Sequence, residues 1–205
     1  MKFEVLLTGV GGEGVLTSQV MIARAANIEG YYVRGVQLHG LAQRGGTIPT
    51  IVRFGSKEEI SSPGIMQASA DLVLAFEPLE AVRAAFYTRK EKTAFVIDDR
   101  PYVPIYAELL NMPYPEMGEI LKRIEPFAKT IYVFSAHELA KKEIGKPIFG
   151  NTMLIGASVG AGLLPLKKES LREAIKITAP RGLEENLRSF EMGIELGKKA
   201  TSVSP

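Results

Sequence analysis

The chain has 205 residues, enough for one substantial core, and its 46% hydrophobic and 23% charged residues are those of an ordinary globular domain, which excludes a disordered or fibrous chain. The formal charge is +2 and bases alternate with acids, as in Lys122-Arg123-Ile124-Glu125, so no basic stripe offers itself to nucleic acid. There is no cysteine and there are two histidines, His39 and His137, which excludes disulfides, thiolate zinc sites and iron–sulfur clusters held by this chain.

Taken in chain order, Phe3 to Thr8, built on the apolar Val5-Leu6-Leu7, stops at glycine and reads as a buried strand. Val15 to Glu29 follows with helical spacing, and Leu16, Val20, Ala23 and Ala26 share a face. Tyr31 to Val36 reads as a second strand. Gln37 to Gly46 is too polar and glycine-rich for core, and Thr47 to Phe54 alternates as a third strand. Pro49 cannot donate to a ladder, so that strand is expected at an edge or a bulge.

Leu72 to Phe76 and Thr93 to Ile97 are further buried strands, and Pro78 opens a helix between them. From Arg100 to Pro115 four prolines predict a long irregular connection, and such loops are commonly functional. Glu116 to Phe127 is helical and Thr130 to Phe134 a strand. Helices then run over His137 to Ile144, Asn151 to Leu164, Lys168 to Thr178 and Gly182 to Lys199. Strand–helix alternation predicts an α/β fold with three layers: a mainly parallel sheet, helices on both faces, right-handed crossovers and a helical C-terminal tail. The expected organisation is one domain over 1–200 with a frayed tail at 201–205. No stretch approaches the roughly 20 apolar residues of a membrane span. The apolar run after Met1 is too short for a secretory signal, so no membrane association and a cytoplasmic location are expected.

Two segments carry chemistry. Gly9, Gly11 and Gly14, with Gly12 between them, satisfy G-x-G-x-x-G after a strand and before a helix. There the backbone N–H groups and the helix N-terminus suit a phosphate. A dinucleotide needs an acid at the end of the second strand; here that position is Gln37, Glu29 lies at the other end, and Glu13 adds an acid to the turn itself. The other segment, Gln37-Leu38-His39-Gly40-Leu41-Ala42-Gln43-Arg44-Gly45-Gly46, gathers an imidazole, two amides and a guanidinium beyond a strand's carboxyl end. Open α/β sheets bind ligands at that edge. Asp98-Asp99 suits either a cation or a turn cap. His137 reads as a structural residue in a helix's first turn. The small-residue run Gly156 to Ala161 reads as close packing, on a sheet or at a subunit seam.

Gly9-Val10-Gly11-Gly12-Glu13-Gly14, Gln43-Arg44-Gly45-Gly46-Thr47, and Leu72 to Ala75 followed by Glu77-Pro78 together resemble the gamma domain of 2-oxoacid:ferredoxin oxidoreductases. Asn151-Thr152-Met153 and Glu185-Asn186-Leu187, with Phe190 and Gly193 beyond, add to the likeness over nearly the whole chain. Glu13 stands where that family usually has glutamine. The small size and Leu38-His39-Gly40 are most similar to the small (beta) subunits of the indolepyruvate branch.

The resemblance implies a non-cluster-bearing subunit of an enzyme that oxidatively decarboxylates 2-oxo acids such as indolepyruvate or pyruvate. Thiamine diphosphate and the iron–sulfur clusters would sit on a large partner subunit, coenzyme A would accept the acyl group, and ferredoxin the electrons. This chain alone would hold no cofactor and be inactive, and Gln43, Arg44 and His39 are its candidates for the shared active site. Two alternatives stand beside it, a self-sufficient dinucleotide-binding oxidoreductase and a purely structural adaptor.

Overall fold

Six strands pair into a single sheet in the computed structural model, which describes residues 1–38 and 45–203. They are β1 (Phe3–Thr8), β2 (Tyr32–Gln37), β3 (Thr50–Gly55), β4 (Leu72–Ala75), β5 (Ala94–Asp98) and β6 (Thr130–Phe134), in the spatial order β2-β3-β1-β4-β5-β6. β1, β4, β5 and β6 run parallel, whereas β3 is antiparallel to both β1 and β2. The helices are α1 (Val15–Ile28), α2 (Pro78–Arg83), α3 (Ile105–Leu109), α4 (Met117–Ile124), α5 (Ala136–Ile144), α6 (Gly150–Gly160), α7 (Lys168–Thr178) and α8 (Leu183–Lys199).

Strand residues alternate between two apolar layers, as the pleat requires. Val5, Leu7, Val52, Phe54, Leu72, Leu74 and Val96 face α1, α5, α6, α7 and α8, while Leu6, Ile51, Val73, Ala75, Phe95 and Ile97 face α2 and α4. The three-layer expectation therefore holds, with a thick helical layer on one face and a thin one on the other.

The expectation that Pro49 would drive the third strand to an edge or bulge is corrected. β3 is internal, and β2 is the edge strand. Pro49 precedes the strand's first residue, so its missing N–H falls outside the ladder while its carbonyl accepts from Leu38 N–H at 3.0 Å. The Arg100–Pro115 connection is not wholly irregular either, since it contains the short helix α3. Within the terminal segment expected to fray, Val203 N–H donates to Ile131 O at 2.8 Å on the outer strand β6.

The small-residue run packs helix on helix rather than on the sheet. A Cβ on Gly156 would come within 2.2 Å of Phe190 O, one on Gly160 within 2.1 Å of Ile194 O, and one on Gly193 within 2.0 Å of Met153 O. α6 and α8 thus meet backbone to backbone, which leaves no room for a methyl group. Gly193→Ala is expected to force the helices apart and cost about 1–3 kcal/mol, read as a lower urea midpoint with an unchanged m-value.

Candidate functional site

The carboxyl edge of the sheet collects the residues of interest. The chain leaves β1 at its centre and steps outward in both directions, which makes this end of β1 the point where the strand order reverses. Beyond Thr8 the glycine turn runs into α1. Gly12 and Gly14 have φ of +96° and +80°, values that L side chains rarely adopt. Gly14 is further restricted, because a Cβ there would approach Asn151 Nδ2 to 2.7 Å. That amide donates to Glu13 O at 2.5 Å and ties α6 to the turn.

The four glycines divide by task. Gly9 and Gly11 join the turn to the chain entering β3: Ile48 N–H donates to Gly9 O at 2.9 Å, Gly11 N–H to Gly46 O at 2.8 Å, and Gly45 N–H to Gly11 O at 3.2 Å. Gly12 and Gly14 instead line a cavity of about 400 Å³ with Val10, Val15, Leu16, Thr17 and Ile48. It lies at the start of α1, whose first turn has no side-chain cap and supplies Val15, Leu16 and Thr17 to the lining. Glu13, the acid within the turn, is paired by the Arg100 guanidinium.

Gln37 closes β2 and donates through Nε2 to Gln19 Oε1 at 2.7 Å, while Gln19 donates to Ile51 O at 3.0 Å. This position is therefore occupied by an engaged amide rather than a ribose-binding acid. Glu29 is turned to the opposite end, where it accepts from Lys167 N–H at 2.6 Å. His39, Gln43 and Arg44 lie outside the described residues. What the structure supplies is their frame, Gln37 anchored on α1 before them and Gly45–Thr47 stitched to the glycine turn after them.

Asp98 and Asp99 act as caps. Asp98, fully buried, accepts from His137 N–H at 3.1 Å and pairs with His137 Nδ1 at 2.6 Å, while Asp99 accepts from Ser135 Oγ. The pair fastens the start of α5 to the end of β5, which gives His137 the structural place expected of it. Among the described residues no cluster of three histidine or acidic side chains is placed to hold a metal ion.

Sequence reasoning gave no role to two buried carboxylates at this edge. Glu77 and Glu80 are 3% and 5% exposed. Glu77 caps α2 by accepting from Glu80 N–H at 2.9 Å, and it also takes Tyr102 N–H at 3.2 Å and the Tyr114 hydroxyl. Glu80 accepts from Thr47 Oγ1 at 3.1 Å, Thr8 Oγ1 at 3.4 Å and Arg83 Nε at 3.0 Å. The available signal was an acid directly before a proline that opens a helix, the grammar of an N-cap.

Burial pushes the Glu80 carboxyl above the ordinary glutamate range; Arg83 and the Thr47 hydroxyl pull it back, and Glu77 adds to the rise. A carboxyl whose folded pKa is raised holds its proton more tightly folded than unfolded. Its contribution to stability is therefore present below the ordinary glutamate pKa and is lost as pH rises through the raised one. Glu80→Gln removes this dependence, so the variant should gain stability relative to the parent chain between pH 4 and pH 7, as paired urea titrations at each pH will read.

The class is an open α/β sheet with a glycine-lined cavity at the carboxyl end of β1, the edge at which sheets of this kind bind ligands. Residues 4–196 match the family model described as pyruvate ferredoxin/flavodoxin oxidoreductase, and the chain belongs to that family. It is 34% identical over 200 residues to the indolepyruvate oxidoreductase subunit IorB of Thermococcus kodakarensis, spanning 97% of each. It is 28% identical over 193 residues to the common subunit gamma of the pyruvate/ketoisovalerate oxidoreductases of Pyrococcus furiosus, covering 94% of this chain and 95% of that one. The fold overlays with a TM-score of 0.72, at 20% identity, on 32% of a longer chain of the 2-oxoglutarate:ferredoxin oxidoreductase of Magnetococcus marinus, and all of this chain is covered.

Proposed function

We propose that this chain is the small, cluster-free subunit of a 2-oxoacid:ferredoxin oxidoreductase of the indolepyruvate type, active only with a larger partner subunit. The observation that carries this reading is the end-to-end likeness to an indolepyruvate oxidoreductase subunit. Clusters need thiolates, which this chain lacks, and it has no Gly-Asp-Gly run to bind thiamine diphosphate, so both groups fall to the partner. Thiamine diphosphate bound there supplies the electron sink for decarboxylation of the 2-oxo acid, with ferredoxin and coenzyme A as acceptors of electrons and acyl group.

On this reading the carboxyl edge of the sheet meets the partner. Tyr102, Val103, Leu109, Leu110 and Met112 are exposed, Leu109 and Leu110 by 70% and 68%, and such a cluster suits a permanent apolar interface. Gln43 and Arg44, with His39 ahead of them, are the residues of this chain proposed for the shared active site, and the turn of Gly9, Gly11, Gly12 and Gly14 shapes the cavity proposed for a phosphate contact. That the Pyrococcus furiosus relative is named a subunit common to pyruvate and ketoisovalerate oxidoreductases supports a choice of 2-oxo acid made mainly on the other subunit. Gln37 at the end of β2 leaves the self-sufficient dinucleotide enzyme without its ribose contact.

The pure chain should be folded, iron-free and inactive toward 2-oxo acids, and dye-linked activity should appear on adding a cysteine-rich large subunit. Turnover by the chain alone would overturn the assignment. In the reconstituted complex, Arg44→Ala should lower turnover or apparent coenzyme A affinity about 10- to 150-fold, the equivalent of one charge-assisted hydrogen bond. Arg44→Lys should do nearly as much damage, because an ammonium cannot reproduce the two-pronged guanidinium contact. Normal kinetics at limiting 2-oxo acid and coenzyme A would instead leave the chain as an adaptor.

A further inference from the structure

We propose that Glu77 and Glu80 are positioning residues that hold the two edge segments, 45–47 and 100–115, as one mechanically coupled surface. The proposal rests on the partner-docking reading for what the surface serves, whereas the coupling is a property of the isolated chain.

Two buried carboxylates one helical turn apart are an expensive way to attach a helix to a sheet, since apolar side chains would do so without desolvating charge. What carboxylates add is direction. Glu77 Oε1 takes Tyr102 N–H from the beginning of the 100–115 segment and the Tyr114 hydroxyl from its end, so both feet of the loop stand on one oxygen. The exposed Val103, Leu109, Leu110 and Met112 all lie between those feet. Tyr114 in turn accepts from Leu79 N–H at 3.3 Å, and Glu77 Oε2 accepts from Glu80 N–H at 2.9 Å, so the loop's two feet and the first turn of α2 share one hydrogen-bond network.

Glu80 carries the network to the other segment. Its Oε1 accepts from Thr47 Oγ1, and Thr47 is bridged to Val10 of the glycine turn. The Arg100–Glu13 ion pair separately ties the 100–115 segment to that same glycine turn. The chain of contacts from Tyr114 through Glu77, α2 and Glu80 to Thr47 is thus continuous and made of directional bonds. Burial and the neighbouring Glu77 push the Tyr114 phenol well above the ordinary tyrosine range, so it remains a donor at working pH. A partner that shifts the 100–115 loop therefore also shifts Gly45–Thr47, the stem of the segment that bears Arg44.

The test uses Tyr114→Phe, Glu80→Gln and their double variant, with amide hydrogen exchange on the isolated chain followed by binding to the large subunit. Tyr114→Phe should speed exchange of residues 102–112 about tenfold or more, the value of one bond to a charged acceptor. It should also speed exchange at 45–48, while β4 and β5 stay protected. Glu80→Gln should disturb both segments in the same way, and the double variant should fall short of the product of the two single effects. Effects confined to each residue's own segment, or a double variant equal to that product, would overturn the coupling. Uniformly faster exchange throughout the sheet would overturn it as well, since that is the mark of plain destabilisation. Coupled exchange together with an unchanged dissociation constant for the large subunit would keep the coupling and overturn the docking reading.

Discussion

Where the chain leaves β1 it is stitched by backbone hydrogen bonds to the chain about to enter β3, and the arrangement of the carboxyl edge follows from that junction. Backbone groups removed from water must be paired. The glycine turn meets this demand by pairing Gly9 and Gly11 with Gly45, Gly46 and Ile48. That pairing spends two of the four glycines on architecture and leaves Gly12 and Gly14 to line the cavity. It also brings the stem of the Gln43–Arg44 segment against the turn, although more than 30 residues of chain separate them. In a dinucleotide-binding fold the second strand would lie beside the first. Here β3 intervenes, and because it runs antiparallel to β1 it starts at the carboxyl edge, with the segment before it against the glycine turn.

The two helical layers serve different ends. On the thick side, α6 and α8 are pressed together at glycines until their backbones touch, which fixes the position of Asn151 at the N-terminal end of α6. Asn151 then grips the carbonyl of Glu13, so the rigidity of that helix pair extends to the glycine turn. On the thin side, α2 is held on the sheet by apolar contacts and also by buried carboxylates that bond outward to loops. Rigid support on one face and directional tethers on the other suit an edge that, on the proposed function, presents loops to a second subunit.

Much of this was legible in the residues themselves. Short apolar runs such as Leu72–Ala75 and Ala94–Ile97 mark buried strands because both faces are covered. The absence of cysteine, together with Gln37 where an acid would be required, narrows the chemistry before any coordinate is known. The misreading of Pro49 shows where such reasoning stops. A proline forbids a ladder bond only at its own position, and a shift of one residue removes the conflict.

The sequence by itself determined the strand–helix alternation, the glycine turn between β1 and α1 and the lack of thiolates to hold a cluster, because these depend on hydrophobic period, local backbone sterics and ligand chemistry. Only the tertiary structure decided that the small-residue run faces α8, that Asp98 closes on His137, and that Glu77 and Glu80 bind segments distant from them in sequence. The reason is physical. A buried carboxylate is stable only with the partners the fold brings to it, and those partners, Thr8, Thr47, Tyr102 and Tyr114, share no pattern along the chain that would announce their meeting.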